Sequence, residues 1–282
     1  MKRILVPTDF SPTSERALRF AVDIASKTNG TVILYHVYIP VGSAFIGTEE
    51  TRKQYNTQTE AKLAKQLQRF KKKVTGDYTN VAVSTIVGHS PIIDNILGFA
   101  EHNQIDLIVM GTQGASDLRK TIIGSVAARI IEKSDVPVLL VPERFEWKEP
   151  EQFVFATNYQ KTDRQALTLT VALVKAYAAT LTVVHLLDPY LQFSEEKQAD
   201  FGEYAFTLQR TFSDCNLKFK ELKTTTIADT MEKLHDEISY DVLVMVRRKK
   251  TFLEKLFVES FTKNMAYVTT QTLLVVPKKN KI

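Results

Sequence analysis

Short apolar runs alternate with longer amphipathic stretches along the first half of the chain. Leu107–Met110 contains no polar residue, as expected of a parallel strand that is buried on both faces. On this pattern we predict five strands, at Ile4–Pro7, Val32–Val37, Val81–Val87, Ile105–Met110 and Val136–Val141.

Helical periodicity fills the intervals between these runs. Ser11-Pro12 suits an N-cap followed by a first-turn proline, and Ser90-Pro91 predicts the same start for a later helix. Two further helices are predicted, one over 51–73 and one that begins near Gly124. The first helix has its apolar stripe at Ala17, Leu18, Ala21, Ile24 and Ala25. This alternation predicts an open parallel sheet with helices on both faces.

The chain contains the same unit twice. Two segments recur further along: Ile4–Leu18 as Phe153–Leu167, and Asp106–Pro142 as Asp241–Pro277. The first pair is 149 residues apart and the second 135, so the second unit is shorter in its middle. A polar segment that ends in Pro150 separates the copies. We predict two tandem domains, residues 1–143 and residues 150–282.

Composition and charge narrow the class of protein. Of 282 residues, 44% are apolar, and 37 Lys and Arg against 32 Asp and Glu give a net charge of +5. The basic runs at 71–73 and 247–250 are short, so no nucleic-acid partner is expected. A single cysteine, Cys215, fits a reducing compartment. Because no apolar run resembles a signal peptide or a membrane span, we expect a cytoplasmic protein without a membrane partner.

A glycine-rich segment follows the fourth predicted strand. Gly111-Thr112-Gln113-Gly114 comes directly after Met110, and Gly124-Ser125 opens the next helix nine residues later. Glycine lets a backbone approach a ligand closely and permits positive φ. A helix N-terminus offers N–H groups to an anion, and a serine hydroxyl adds a hydrogen bond. The segment predicts a di- or triphosphate site, with the alternative that these glycines only turn and pack the chain.

Two other residues lie where ligands bind in such sheets, beyond the carboxyl ends of the strands. Asp9 follows the first strand and can accept two hydroxyl hydrogen bonds from a ribose; alternatively it only caps the helix that starts near Ser11. His36 recurs as His185 in the second unit. We therefore interpret His36 as a structural histidine at a strand end and not as a catalytic one.

The spacing G-x2-G-x9-G-[ST], together with Val6-Pro7-Thr8-Asp9, resembles the ATP-binding branch of the universal stress protein family, over essentially the whole chain. The resemblance implies two tandem Rossmann-like α/β domains of the adenine nucleotide alpha hydrolase type. It also implies ATP as ligand, with AMP or ADP as alternatives. The implied contacts are Pro7, Thr8, Asp9, Val37, Met110, Gly111, Thr112, Gly114, Gly124, Ser125 and Val126.

The second unit departs from this pattern. Gly111, Gly114 and Gly124 correspond to Val246, Lys249 and Glu259, Asp9 corresponds to Asn158, and only Ser125 is kept, as Ser260. Val246 and Lys249 thus carry side chains at positions where a phosphate needs exposed backbone, and Glu259 would repel a phosphate. We predict one nucleotide per chain, in the first unit.

The resemblance further implies that the two units pair through their last strands, 136–141 and 272–276, as an internal pseudo-dimer. It allows a homodimer between chains as well. The partners of such a protein are not readable from the sequence.

No Walker motif, nucleophile elbow or zinc-binding helix occurs in the sequence. We therefore predict a cytosolic, nucleotide-dependent stress-response regulator with little or no turnover and no catalytic residues. One alternative is an interaction scaffold with a vestigial site. The other is a slow nucleotide-hydrolysing or nucleotidyl-transferring enzyme, in which Asp9, Asp117 and Arg119 hold Mg²⁺ or phosphate.

Overall fold

Five strands described in the first unit, Met1–Val141, form an open parallel sheet. The spatial order is β3-β2-β1-β4-β5, so the strand order reverses between β1 and β4. The strands are β1 (Arg3–Pro7), β2 (Thr31–Tyr38), β3 (Ala82–His89), β4 (Leu107–Gly111) and β5 (Val138–Val141). This computed structural model describes residues 1–42, 47–76, 80–113, 123–157, 163–187, 195–223, 233–234, 236–247 and 271–278.

The helices of the first unit agree with the predicted ones to within a few residues. They are α1 (Pro12–Thr28), α2 (Glu49–Thr75), α3 (Ile92–His102) and α4 (Ser125–Lys133). Ser11 caps α1, because its side chain accepts a hydrogen bond from Ser14 N. The predicted cap at Ser90 is wrong, since Pro91 holds the N-cap position of α3 and offers no side-chain acceptor.

The second unit, Pro142–Ile282, repeats the arrangement. Its described strands are all parallel in the order β10-β9-β6-β7-β8. The elements are β6 (Gln152–Thr157), α5 (Asp163–Ala176), β7 (Thr180–Leu187), α6 (Glu195–Thr211), β8 (Asn216–Lys223), β9 (Val242–Arg247) and β10 (Thr272–Pro277). The predicted tandem of Rossmann-like α/β units is therefore confirmed. Pairing of the units through their last strands stays a prediction.

In each unit, one aspartate accepts hydrogen bonds from two backbone N–H groups at the start of a central strand. Asp106 precedes β4 and accepts hydrogen bonds from the backbone N–H groups of Lys2 and Arg3, at 2.6 and 3.0 Å. Asp241 precedes β9 and accepts the equivalent bonds from Glu151 and Gln152, at 2.8 and 2.9 Å. Each carboxylate thus satisfies two donors at the start of a central strand.

None of the helices in the described ranges is both long enough and apolar enough to cross a membrane.

Candidate functional site

A cavity of about 210 Å³ opens at the carboxyl edge of the first sheet, at the reversal of strand order between β1 and β4. Ligands of open α/β sheets bind at such a point. All predicted contact residues line this cavity except Gly114, which lies outside the described residues. The lining consists of Pro7, Thr8, Asp9, Ser14, Tyr35, His36, Val37, Ile92, Ile96, Met110, Gly111, Thr112, Gln113, Gly124, Ser125, Val126 and Ala127.

One wall of the cavity is apolar. Val37 lies near the end of β2, Met110 lies near the end of β4, and α3 contributes Ile92 and Ile96. The two isoleucines are separated by four residues and thus lie on the same side of α3. The sequence places them on a helical stripe, but the direction of that stripe becomes known only when α3 packs against the sheet. Such a wall suits a flat, weakly polar ring.

Tyr35 also lines the cavity, and its position is determined by Asn95, Phe99 and Gly88. Its hydroxyl donates to Asn95 Oδ1, and its ring stacks on Phe99 with centroids 4.5 Å apart. Gly88 leaves the space for the ring, because a Cβ there would come within 2.6 Å of Tyr35 Cζ. Tyr35 is only 3% exposed, and burial raises the pKa of its hydroxyl. The phenol is therefore a neutral donor whose ring position is fixed.

The loop between β1 and α1 carries Asp9 into the lining. Asp9 Oδ1 accepts a hydrogen bond from Ser11 N at 3.1 Å, so the carboxylate does support the start of α1. The same carboxylate lines the cavity, so the structural and the ligand interpretations are compatible. Thr8 is buried and bonds Ser14 through the two hydroxyl oxygens, 2.9 Å apart. Phe10 has a φ of 65°, which is uncommon for a bulky residue.

His36 has a structural contact that recurs in both units. Its Nδ1 donates to Thr8 O at 2.7 Å, and its ring lies 4.6 Å from that of Phe10. In the second unit His185 Nδ1 makes the equivalent bond to Thr157 O, at 3.1 Å. This repetition supports a structural role for His36, although the ring also lines the cavity.

The N-terminus of α4 also lines the cavity, through Gly124, Ser125, Val126 and Ala127. The first intrahelical hydrogen bond runs from Ala128 N to Gly124 O, so the N–H groups of Ser125, Val126 and Ala127 precede it. The N-cap residue, Gly124, has no side chain to cap the helix, and the first turn contains no acidic residue. Gly124 N also donates to Thr112 O at 2.6 Å, which joins the helix start to the strand exit. This part of the cavity is suited to an anion.

The motif glycines do not have positive φ angles where the structure describes them, so that part of the expectation is wrong. Gly111 is the last residue of β4, and Gly124 has a φ of −65°, which any residue adopts. A Cβ on Gly111 would lie 2.6 Å from Thr13 Cγ2 at the start of α1. Gly111 is thus required for close packing between β4 and α1, whatever it also offers a ligand.

The second unit has different chemistry at two equivalent positions. Val246, the counterpart of Gly111, is the buried residue before the end of β9. Asp163, the counterpart of Ser14, is 0% exposed and accepts a hydrogen bond from Thr157 at 2.6 Å. A buried carboxylate therefore stands where the first unit has a cavity-lining hydroxyl. The other compared positions of this unit, Asn158, Lys249, Glu259 and Ser260, lie outside the described residues.

The ends of β2 and β3 are bonded to α2. Glu60 Oε1 accepts from the Tyr38 hydroxyl at 2.7 Å and lies 3.0 Å from His89 Nε2. These two hydrogen bonds hold the pKa of the Glu60 carboxyl below its ordinary value. Burial, with a further contribution from Glu60, raises the pKa of Tyr38 to about 12. The Asn56 side chain accepts a hydrogen bond from Val41 N at 2.9 Å and donates one to Val41 O at 3.2 Å.

No cluster of three potential metal ligands occurs among the residues with described positions. Asp117 and Arg119, named above as candidates for Mg²⁺ or phosphate, lie outside those positions.

Comparison with known proteins assigns the family. The profile described as universal stress protein family matches residues 1–142 and 151–277. Universal stress protein MJ0531 of Methanocaldococcus jannaschii is 32% identical over 142 residues, 50% of this chain and 81% of that protein. MJ0577 of the same organism is 28% identical over 157 residues, 51% of this chain and 96% of the relative.

Among solved structures, a universal stress protein from Archaeoglobus fulgidus matches with a TM-score of 0.70 at 16% identity, over 98% of both chains. A protein from Pseudomonas aeruginosa, described as a putative universal stress protein, matches with a TM-score of 0.61 at 17% identity, over 98% of this chain and 93% of that one. These likenesses show the fold. With the family profile matching both of its halves, this chain belongs to the universal stress protein family.

Proposed function

We propose that the first unit binds one adenine nucleotide, ATP with ADP or AMP as alternatives, and that this protein is a nucleotide-dependent stress-response regulator with little or no turnover. The observation that carries the proposal is the composition of the cavity, which is lined both by an apolar wall and by the N-terminus of α4, where the N-cap Gly124 has no side chain. Both chemical halves of a nucleotide find a matching surface there.

Each group of residues has a definite task in the proposed complex. Val37, Met110 and the two isoleucines of α3 exclude water from the faces of the base. Asp9 accepts hydrogen bonds from ribose hydroxyls, while its bond from Ser11 N keeps the carboxylate oriented. The first-turn N–H groups of α4 and the Ser125 hydroxyl donate to phosphate oxygens. No acidic side chain occupies that turn, so the first turn itself does not repel the phosphates.

The second unit is proposed to have lost this site. Val246 places a side chain at the strand exit, and the buried Asp163 places a carboxyl group at the position of the cavity-lining Ser14. Acidic side chains close to a polyphosphate are unfavourable. One nucleotide per chain is therefore expected.

Isothermal titration calorimetry with ATP tests the proposal, using Ser125→Glu as the variant. The new carboxylate stands at the start of α4, where it favours the helix but repels phosphate. We expect a stoichiometry of one for the unaltered protein, and for the variant a loss of ATP affinity of about tenfold or more with no fall in thermal midpoint. Ser213→Glu, on an exposed residue after α6, is the matched control and retains full affinity.

Binding also stabilises the native state. ATP at about one hundred times its Kd should add about 2.7 kcal/mol to the free energy of unfolding. A folded protein that shows neither heat of binding nor thermal stabilisation in excess ATP would refute the proposal and favour a scaffold with a vestigial site. A stoichiometry of two would refute the loss of the second site.

A further inference from the structure

The outer side of α2 carries a row of cations. Lys62, Lys65, Arg69 and Lys72 are all exposed, and their spacing of three, four and three residues places them on one side of the helix. None of the four forms an ion pair with any carboxylate that the structure describes. These four residues are called the basic row below.

Helix stability does not account for the basic row. Like charges three or four positions apart on a helix repel each other, and the row consists of such neighbours. The carboxylates of α2 are too distant along the helix or otherwise engaged: two lie at its start, and Glu60 contacts Tyr38 and His89. The adjacent cation, Lys73, does have a partner, Glu15 of α1, at 2.5 Å.

The other side of α2 is committed to its own unit. Leu67 and Val74 are buried, and the ring of Phe70 meets that of Phe10 edge-on, with centroids 5.7 Å apart. Lys71 donates to Val83 O at 2.5 Å. The buried apolar residues of α2 are used in this packing, and the basic row faces solvent. Among the described residues of α2, Tyr55 is the one large apolar side chain that is exposed, which is too little for an apolar side that inserts into a bilayer.

We infer that the basic row binds an extended acidic segment of a partner protein. From Lys62 to Lys72 the row is about 15 Å long at about 1.5 Å per residue. A strand-like segment covers that length with about five residues at about 3.3 Å each. Three of the four cations are lysines, whose ammonium groups pair with carboxylates without a fixed geometry.

Nucleic acid fits the same surface less well. The row contains one arginine, and among the described residues on that side of α2 the one exposed aromatic side chain is Tyr55, seven positions before Lys62. The surface therefore offers neither a set of guanidinium forks for base edges nor a series of platforms for stacked bases. The row also lies outside the set of residues that line the cavity. Acidic-segment binding therefore does not depend on whether the cavity holds a nucleotide, and the two proposals fail separately.

Fluorescence anisotropy with a labelled hexaglutamate peptide tests the inference on the full chain. The variant replaces the whole row: K62Q/K65Q/R69Q/K72Q. Since four exposed ion pairs are removed, the peptide should bind about tenfold or more weakly, and the loss should shrink as salt is added. The smaller variant K65Q/R69Q should lose about threefold.

The matched control is K2Q/K133Q/R164Q/K218Q, which removes three lysines and one arginine from exposed positions outside α2. We expect the control to bind the peptide like the unaltered protein. Equal weakening by the row variant and the control would overturn the inference, because binding would then follow net charge alone. It would also be overturned if a short DNA duplex or phosphatidylserine vesicles bound more tightly than the peptide and lost that binding in the row variant.

Discussion

Replacing Gly111 by alanine separates two roles that the G-x2-G-x9-G motif leaves combined. The added methyl carbon would lie 2.6 Å from Thr13 Cγ2, 3.1 Å from Thr13 Cβ and 3.2 Å from the Thr13 carbonyl carbon. Favourable carbon–carbon contacts need about 3.5–4.0 Å. Thr13 is 4% exposed in the first turn of α1 and cannot swing away. We therefore expect Gly111→Ala to lower the free energy of unfolding by about 1–3 kcal/mol.

The double variant Gly111→Ala/Thr13→Ala makes the argument quantitative. It removes the shortest contact and keeps those to Thr13 Cβ and the backbone, so part of the loss should return, a coupling of about 1 kcal/mol in a double-mutant cycle. Urea unfolding followed by circular dichroism measures all four proteins. If Gly111 instead serves only to admit a ligand, Gly111→Ala leaves unfolding unchanged, lowers ATP affinity, and shows no coupling to Thr13. That result would refute the packing argument.

Two further predictions concern the packing around Tyr35, which lines the cavity, and the bonds of Glu60 to the ends of β2 and β3. Gly88→Ala should lower the free energy of unfolding in urea by about 2–4 kcal/mol, since the new methyl meets the Tyr35 ring and breaks the hydrogen bond of its hydroxyl. The same substitution in a Tyr35→Leu background should cost less. Equal losses in both backgrounds would contradict the contact. Tyr38 and His89 hold the pKa of Glu60 low in the folded state, so the ionised carboxylate stabilises the folded protein. This contribution to the free energy of unfolding is fully present above the unfolded pKa, about 4.3. It is lost as pH falls through the folded pKa. Thermal midpoints from pH 6 to pH 3 should therefore fall more steeply in the unaltered protein than in Glu60→Gln, and parallel curves would show that Glu60 contributes nothing.

Much of the fold follows from local pattern. The unbroken apolar run at Leu107–Met110 favours a short strand covered on both faces, and the stripe in α1 favours a helix packed on one side. Repetition adds a second, independent signal. Asp106 and Asp241 lie at equivalent places in the two copies, and each accepts hydrogen bonds from the equivalent pair of backbone N–H groups of its own unit. Chain order then limits the topology, because strand–helix–strand units cross over with one hand.

The candidate site was predictable where chain geometry suffices and not elsewhere. Strand ends and helix starts can be located from sequence, so Asp9, Gly111 and Ser125 were predicted and all line the cavity. Ile92 and Tyr35 were missed, because apolar and aromatic residues in the middle of elements look like any core residue. Which of them reaches a cavity depends on how α3 and β2 pack.

By itself, then, the sequence determined the alternation of strands and helices, the duplication, and the edge of the sheet at which ligands would bind. Only the tertiary structure decided what individual residues do there. Gly111 meets Thr13, almost a hundred positions earlier, Gly88 makes room for Tyr35, and the acidic counterpart of Ser14 is buried in the second unit. The reason is physical: periodicity reports which side of an element is apolar, whereas van der Waals contact and burial depend on atoms that the chain brings together from distant positions.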